Sequence, residues 1–148
     1  MNAPTVIAAP AITPARFPIR LERSWRPWLR LWGVRPENAY IDLGDGRLDA
    51  RFGWSTLATD LSNIEDYRIT GPYRWWSAIG VRRSVRNGDA SFCGTARGGV
   101  CLRFRDPVPW ARIFHPPALT VTPEDLDGFV AALEEHRISG RDERRARR

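Results

Sequence analysis

A chain of 148 residues with 43% hydrophobic content suits a single domain built on one ordinary core. All 23 basic residues are arginine, lysine and glutamine are absent, and alanine, glycine and proline are plentiful; this is the usage of a GC-rich genome, so the net charge of +6 says little about a nucleic-acid partner. Residues 16–35 carry six arginines against Glu22 and residues 137–148 carry six against Asp142 and Glu143, whereas 36–136 hold 11 arginines against 14 acids. A nucleic-acid domain carries its basic footprint on the folded body, and this body is slightly acidic.

The first residues, MNAPTVIAAPAITPA, lack the positive charge and unbroken apolar run of a secretory signal. No apolar run approaches the roughly 20 residues of a spanning helix. A cytoplasmic protein is expected, with a flexible leader over 1–15, one domain over 16–138 and a disordered Arg-rich tail over 139–148.

In "SWRPWLRLWG", 24–33, helical spacing groups Trp25, Trp28, Leu29 and Trp32, with Arg23, Arg26 and Arg30 off that stripe. Ten residues are few for independent helicity, so packing on the domain is the favoured reading. The alternative is a membrane-interface or partner face made of Trp25, Trp28, Trp32, Arg26 and Arg30.

"AYIDLGDGRLDARF" predicts a hairpin around Asp45-Gly46, with Leu43 opposite Leu48, Ile41 opposite Ala50 and Ala39 opposite Phe52. That register gathers the apolar residues on one face and Tyr40, Asp42, Asp49 and Arg51 on the other, and a one-residue slip would ruin it. Two more strands are expected near 55–59 and 64–70. "GPYRWWSAIG", 71–80, reads as a short helix between Pro72 and Gly80 with Trp75 and Trp76 turned inward as a lid. An exposed stacking platform is disfavoured, because such platforms sit in basic grooves.

"VRRSVRNGDASFCGTARGGVCLRF" predicts a three-stranded antiparallel meander. Asn87-Gly88 would pair Val85 with Ala90, and a loop at Ala96-Arg97-Gly98 would pair Phe92 with Leu102. Val81, Val85, Ala90, Phe92, Val100, Leu102 and Phe104 then face inward, with Arg83 breaking the pattern. Cys93 and Cys101 would fall opposite each other, although free thiols are expected in a cytoplasmic chain. Arg82, Arg86, Arg103 and Arg105 would share the outer face with Asp89, a candidate anion-binding surface whose plainer reading is a solvated face with local ion pairs.

"LTVTPEDLDGFVAALEEHRISG" predicts a strand over 118–121 and then an amphipathic helix. Thr122 is the expected N-cap, Pro123 the first helical residue, and Leu126, Phe129, Val130 and Leu133 the buried stripe. His115 reads as a loop residue. No catalytic constellation, cofactor cradle or metal-ligand spacing emerges, so no enzyme, cofactor or metal is expected. The fold class is α+β: a bent antiparallel sheet or partly open barrel of about seven strands, capped by a C-terminal amphipathic helix.

The succession "GRLDARFG", "TDLSNIEDYRIT", paired strands and "LTVTPEDLDGFVAAL" resembles the pleckstrin-homology-like domains of bacteria. More narrowly, "WGVRPENAYIDL", "TGPYRWW", "RGGVCLRF" and "HPPALTVT" are similar to pieces of conserved actinobacterial proteins of unassigned function, over residues 16–135. The resemblance implies two near-orthogonal sheets and a C-terminal helix, in a fold that binds lipid headgroups or peptides or acts as a scaffold and is rarely catalytic. Lipid-binding members usually place basic residues in the first hairpin; here Arg47 and Arg51 are joined there by Asp42, Asp45 and Asp49. The expectation is therefore a non-enzymatic binding or scaffolding domain with a protein partner. Peripheral attachment to an anionic membrane through 24–33 and the tail is the first alternative, nucleic-acid association the second, and pairing of sheet edges between copies a further option.

Overall fold

The computed structural model describes residues 15–71, 80–83, 88–95 and 97–143. The leader up to residue 14, the Trp75-Trp76 segment and the last five residues lie outside these, as does Arg86. Among the described residues there are ten strands in two sheets, and neither sheet closes into a barrel.

The first sheet grows from one turn. Asp45 and Gly46 both take positive φ, +53° and +72°, the two-residue turn whose twist matches a hairpin. It joins β2 (Ala39–Gly44) to β3 (Arg47–Phe52) with Leu43 opposite Leu48, Ile41 opposite Ala50 and Ala39 opposite Phe52, the expected register. β4 (Ser55–Asp60) pairs with β3, and β1 (Ala15–Pro18) pairs with β2. β1 begins inside the stretch expected as leader. Arg16 secures it, donating two hydrogen bonds to the Asp42 carboxylate at 2.8 and 3.0 Å while lying over the Tyr40 ring.

The second sheet departs from the expected meander. Its order is β10-β5-β8-β9-β7-β6, built from β5 (Ile64–Thr70), β6 (Gly80–Arg83), β7 (Ala90–Cys93), β8 (Gly99–Phe104), β9 (Ala118–Val121) and β10 (Gly140–Asp142). β7 and β8 do not pair: β9 lies between them, parallel to β7 and antiparallel to β8. Ala118, Leu119 and Val121 are all buried, and so apolar a strand belongs in a sheet interior rather than at its edge. β8 finds its other partner in β5. β6 does pair with β7, but with Arg83 opposite Ala90, two residues away from the register expected of Asn87-Gly88. A shift of two keeps side chains on their faces: Ala90, Phe92, Val100, Leu102 and Phe104 are buried and Val81 partly so, while Val85 lies outside the described residues. Arg83, the residue that breaks the alternation, sits at the exposed end of β6 with its guanidinium over Phe114.

The sheets meet through Phe52 and Phe92, stacked with centroids 6.0 Å apart, and Phe92 continues to Trp110 and Phe114. α2 (Leu126–Glu135) packs Phe129 and Leu133 fully into this core, with Leu126 and Val130 at its margin. Its N-cap is Asp125, whose carboxylate accepts from the Gly128 amide at 3.0 Å, not Thr122. The Thr122 hydroxyl is instead buried and accepts from the Gly94 amide, and Pro123 bridges to Ile19, so the helix is capped three residues later, at Asp125. α2 is not the last element: Gly140–Asp142 run parallel to β5 as β10, inside the stretch expected to be disordered.

Candidate functional site

Of the anion-binding surface expected of Arg82, Arg86, Arg103 and Arg105, the described residues Arg82, Arg103 and Arg105 are not brought together on the outer face of the second sheet, and Arg86 lies outside the described residues. Arg82 on β6 is separated from Arg103 on β8 by β7 and β9, three strand spacings or about 14 Å. Arg103 is taken by Asp66, to which it donates at 2.9 and 2.6 Å, with Glu65 at 3.8 Å. The same pair holds the Asp66 carboxyl below its ordinary range. Arg105 donates from Nε to the Ser62 carbonyl. Cys93 and Cys101 are free and not opposed, since Cys101 lies across from Thr120 of β9. Burial pushes the Cys93 thiol up to about 12, and the half-buried Cys101 thiol is also raised. Among the described residues no group of three His, Cys, Asp or Glu side chains could hold a metal ion.

Of the other candidate surface, Trp28, Trp32, Arg26 and Arg30 stand exposed together, whereas Trp25 turns to the core. A 3-10 turn, Arg23–Trp25, leads into α1 (Arg26–Leu31), shorter than the helix expected over 24–33. Leu29 is fully buried and Trp25 packs against the core, so these two residues anchor the element. Trp28 and Trp32 share the expected stripe but stand 52% and 51% exposed, and Leu31 is 74% exposed. The 3-10 turn and α1 together thus present an anchored side, an arginine side with Arg23, Arg26 and Arg30, and an uncovered apolar side.

Trp54 joins the apolar side from the turn between β3 and β4, at 79% exposure. Its indole lies against Gly33, where a Cβ would come within 2.5 Å of the ring. Gly33 takes φ +75° and Gly53 φ +65°, and Asn38 ties the two loops together: its amide donates to the Gly33 carbonyl, and its own carbonyl accepts from the Gly53 amide. Four of the five exposed large hydrophobic residues among those described therefore gather at one end of the molecule; the fifth is Ile113. Sequence reasoning missed Leu31 and Trp54. Leu31 lay off the stripe, and the signal for Trp54 was a tryptophan placed directly after a turn glycine.

Residues 23–35 around this tip carry four arginines and no acid. Two adjoining depressions of about 460 and 530 Å³ flank the arginine side and share Leu21, Arg23, Arg26 and Pro36. Comparison with protein-family models, curated proteins and solved structures returns no match. The chemistry of the site therefore rests on its own residues: an apolar aromatic tip for partitioning, and a row of guanidinium groups for anions. No helix among the described residues is long and apolar enough to cross a membrane.

Proposed function

We propose that this protein is a non-enzymatic binding domain that docks peripherally on anionic membrane surfaces through the α1–Trp54 tip. The observation that carries this reading is the coincidence of Trp28, Leu31, Trp32 and Trp54, all largely solvent-exposed, with a stretch, 23–35, that holds four arginines and no acid. Indoles favour the headgroup boundary, where an apolar ring and a polar N–H are both accommodated. Each arginine near an anionic leaflet contributes about 1 kcal/mol. Apolar insertion alone gives marginal attachment, and adding the basic charge makes it stable. A pleckstrin-homology-like resemblance supports the same class, binding rather than catalysis, without specifying the ligand.

A protein partner competes for the same face, since tryptophan and arginine also dominate protein hot spots. The charge distribution favours the membrane: the anchor needs no pocket in its partner, only an anionic plane.

The test is sedimentation of the full chain with phosphatidylcholine vesicles, with and without phosphatidylglycerol, across a salt series. Binding is expected on the anionic vesicles and weakens with salt. Each of Trp28→Ala, Trp32→Ala and Trp54→Ala is expected to lower partitioning by about tenfold, the value of one uncovered apolar side chain. A chain that sediments with neither vesicle type, or equally with and without the three substitutions, is not docked by this tip.

A further inference from the structure

The arginine side of α1 has a chemistry of its own, apart from the apolar tip. Arg23, Arg26 and Arg30 follow one another at spacings of three and four residues, which stacks them on one helical face. Other arginines are engaged by carboxylates: Arg16 by Asp42, Arg47 by Asp60, Arg68 by Glu143, Arg97 by Glu22 and Arg103 by Asp66. Arg23, Arg26 and Arg30 have no ion pair and no side-chain hydrogen bond among the described residues. Three unneutralised guanidinium groups on one groove repel each other, a cost that an anion would remove.

The groove itself narrows the choice. The 460 Å³ depression includes Glu22 and Glu124, which repel an anion. Thr95 and Arg97 hold the Glu22 carboxylate in place. The 530 Å³ depression has the three arginines, no acid, and a floor of Leu21, Val34 and Pro36. Its size is that of a small-molecule site. A carboxylate satisfies one guanidinium fork, whereas a phosphoryl group offers more oxygens and up to two charges, matching a row of arginines.

We propose that this second depression is a phosphoryl-anion site, gripping a phosphate ester between Arg23, Arg26 and Arg30 with the organic part of the ligand on the apolar floor. The inference rests on the membrane reading only for the source of the ester, which is a lipid headgroup if that reading holds and a soluble phosphate ester if it does not.

The experiment is a heteronuclear NMR titration of the full chain with glycerol 3-phosphate and, separately, with monomeric dioctanoyl phosphatidylglycerol. Saturable shifts are expected in the arginine Nε–H signals and in the amides of residues 21–36. Arg30→Gln is expected to weaken binding about tenfold, as loss of a charged hydrogen bond does. Arg26→Lys keeps the charge but loses the planar fork, so it is expected to weaken groove binding less than Arg30→Gln does but measurably. The Trp28→Ala/Trp32→Ala/Trp54→Ala chain is expected to lose vesicles and keep both small ligands. Shifts with glycerol 3-phosphate but no vesicle binding by the wild type would keep the site and remove the membrane reading. Vesicle binding without saturable shifts from either small ligand, or with shifts unchanged in Arg30→Gln, would overturn the site and leave the tip standing.

Discussion

Arg137 occupies φ +64°, the left-handed position just past α2 that glycine fills most easily. The backbone bonds around it are those of a Schellman stop: the Ile138 amide donates to Leu133 at 3.0 Å and the Arg137 amide to Glu134 at 2.9 Å. A side chain at such a φ costs about 1 kcal/mol, so Arg137→Gly is expected to raise unfolding stability by roughly that amount. Denaturant melts of the two chains check this, and a loss of stability would show that the arginine makes a compensating contact. Tyr67 gives a second residue-scale test. Its hydroxyl donates to Glu134 at 2.6 Å, and the neighbouring carboxylate together with burial pushes its pKa up to about 12 from 10. Because the folded pKa is the higher one, this contribution is complete below pH 10 and is lost as pH rises toward 12. The wild type should therefore lose melting temperature more steeply than Tyr67→Phe between pH 10 and 12, and parallel curves would contradict the bond.

At the scale of elements, β10 is held by close backbone approach. A Cβ at Gly140 would meet the Tyr67 carbonyl and ring, and the Tyr67 and Glu143 amides donate to Ser139 and Ile69 across the pair. Gly140→Ala is expected to free β10, with hydrogen exchange accelerating at the Glu143 amide while the β2–β3 hairpin amides keep their protection. Unchanged exchange would mean the strand tolerates the displacement. Similarly, Gly33→Ala removes the bed of the Trp54 indole and is expected to weaken vesicle partitioning as Trp54→Ala does, without lowering the melting temperature by as much as a core change.

These elements differ in how far the sequence alone revealed them. The β2–β3 hairpin was readable to the residue because its register depends on a local turn and on two-residue alternation. The pairing of β8 was not, because alternation tells which way Leu102 points and is silent on whether β7 or β9 lies beside it. Thr122 and Pro123 carry the composition of a helix start, yet Thr122 is occupied by Gly94 from a distant loop. Helical spacing put Trp25, Trp28, Leu29 and Trp32 on one stripe, but it did not show that only Trp25 and Leu29 would pack on the core. Trp54 was not legible as their neighbour on the tip, since only the Gly33, Asn38 and Gly53 contacts bring it there.

Across the whole molecule, one core links both sheets and α2, and the Phe52–Phe92 stack is the crossing point. Phe92→Ala is expected to cost about 3–5 kcal/mol, measurable in a denaturant melt. A cost near 1 kcal/mol would show that the sheets do not depend on this contact. That rigid body is what lets a six-residue helix, too short to persist alone, present Trp28, Leu31 and Trp32 to the outside. Basic charge and apolar surface then lie at one end, while Arg16, Arg47, Arg68, Arg97 and Arg103 elsewhere are paired with carboxylates.

The most direct measurement of that account is the membrane depth of Leu31. With Cys93 buried and Cys101 half-buried, both thiols raised in pKa, a spin label can be directed to Leu31→Cys, with Asp49→Cys on the outer face of β3 as control. On phosphatidylglycerol-containing vesicles, the label at 31 is predicted to become accessible to oxygen and shielded from a water-soluble nickel complex, while the label at 49 stays in water. Sedimentation with the vesicles while the label at 31 stays as water-exposed as the label at 49 would contradict it.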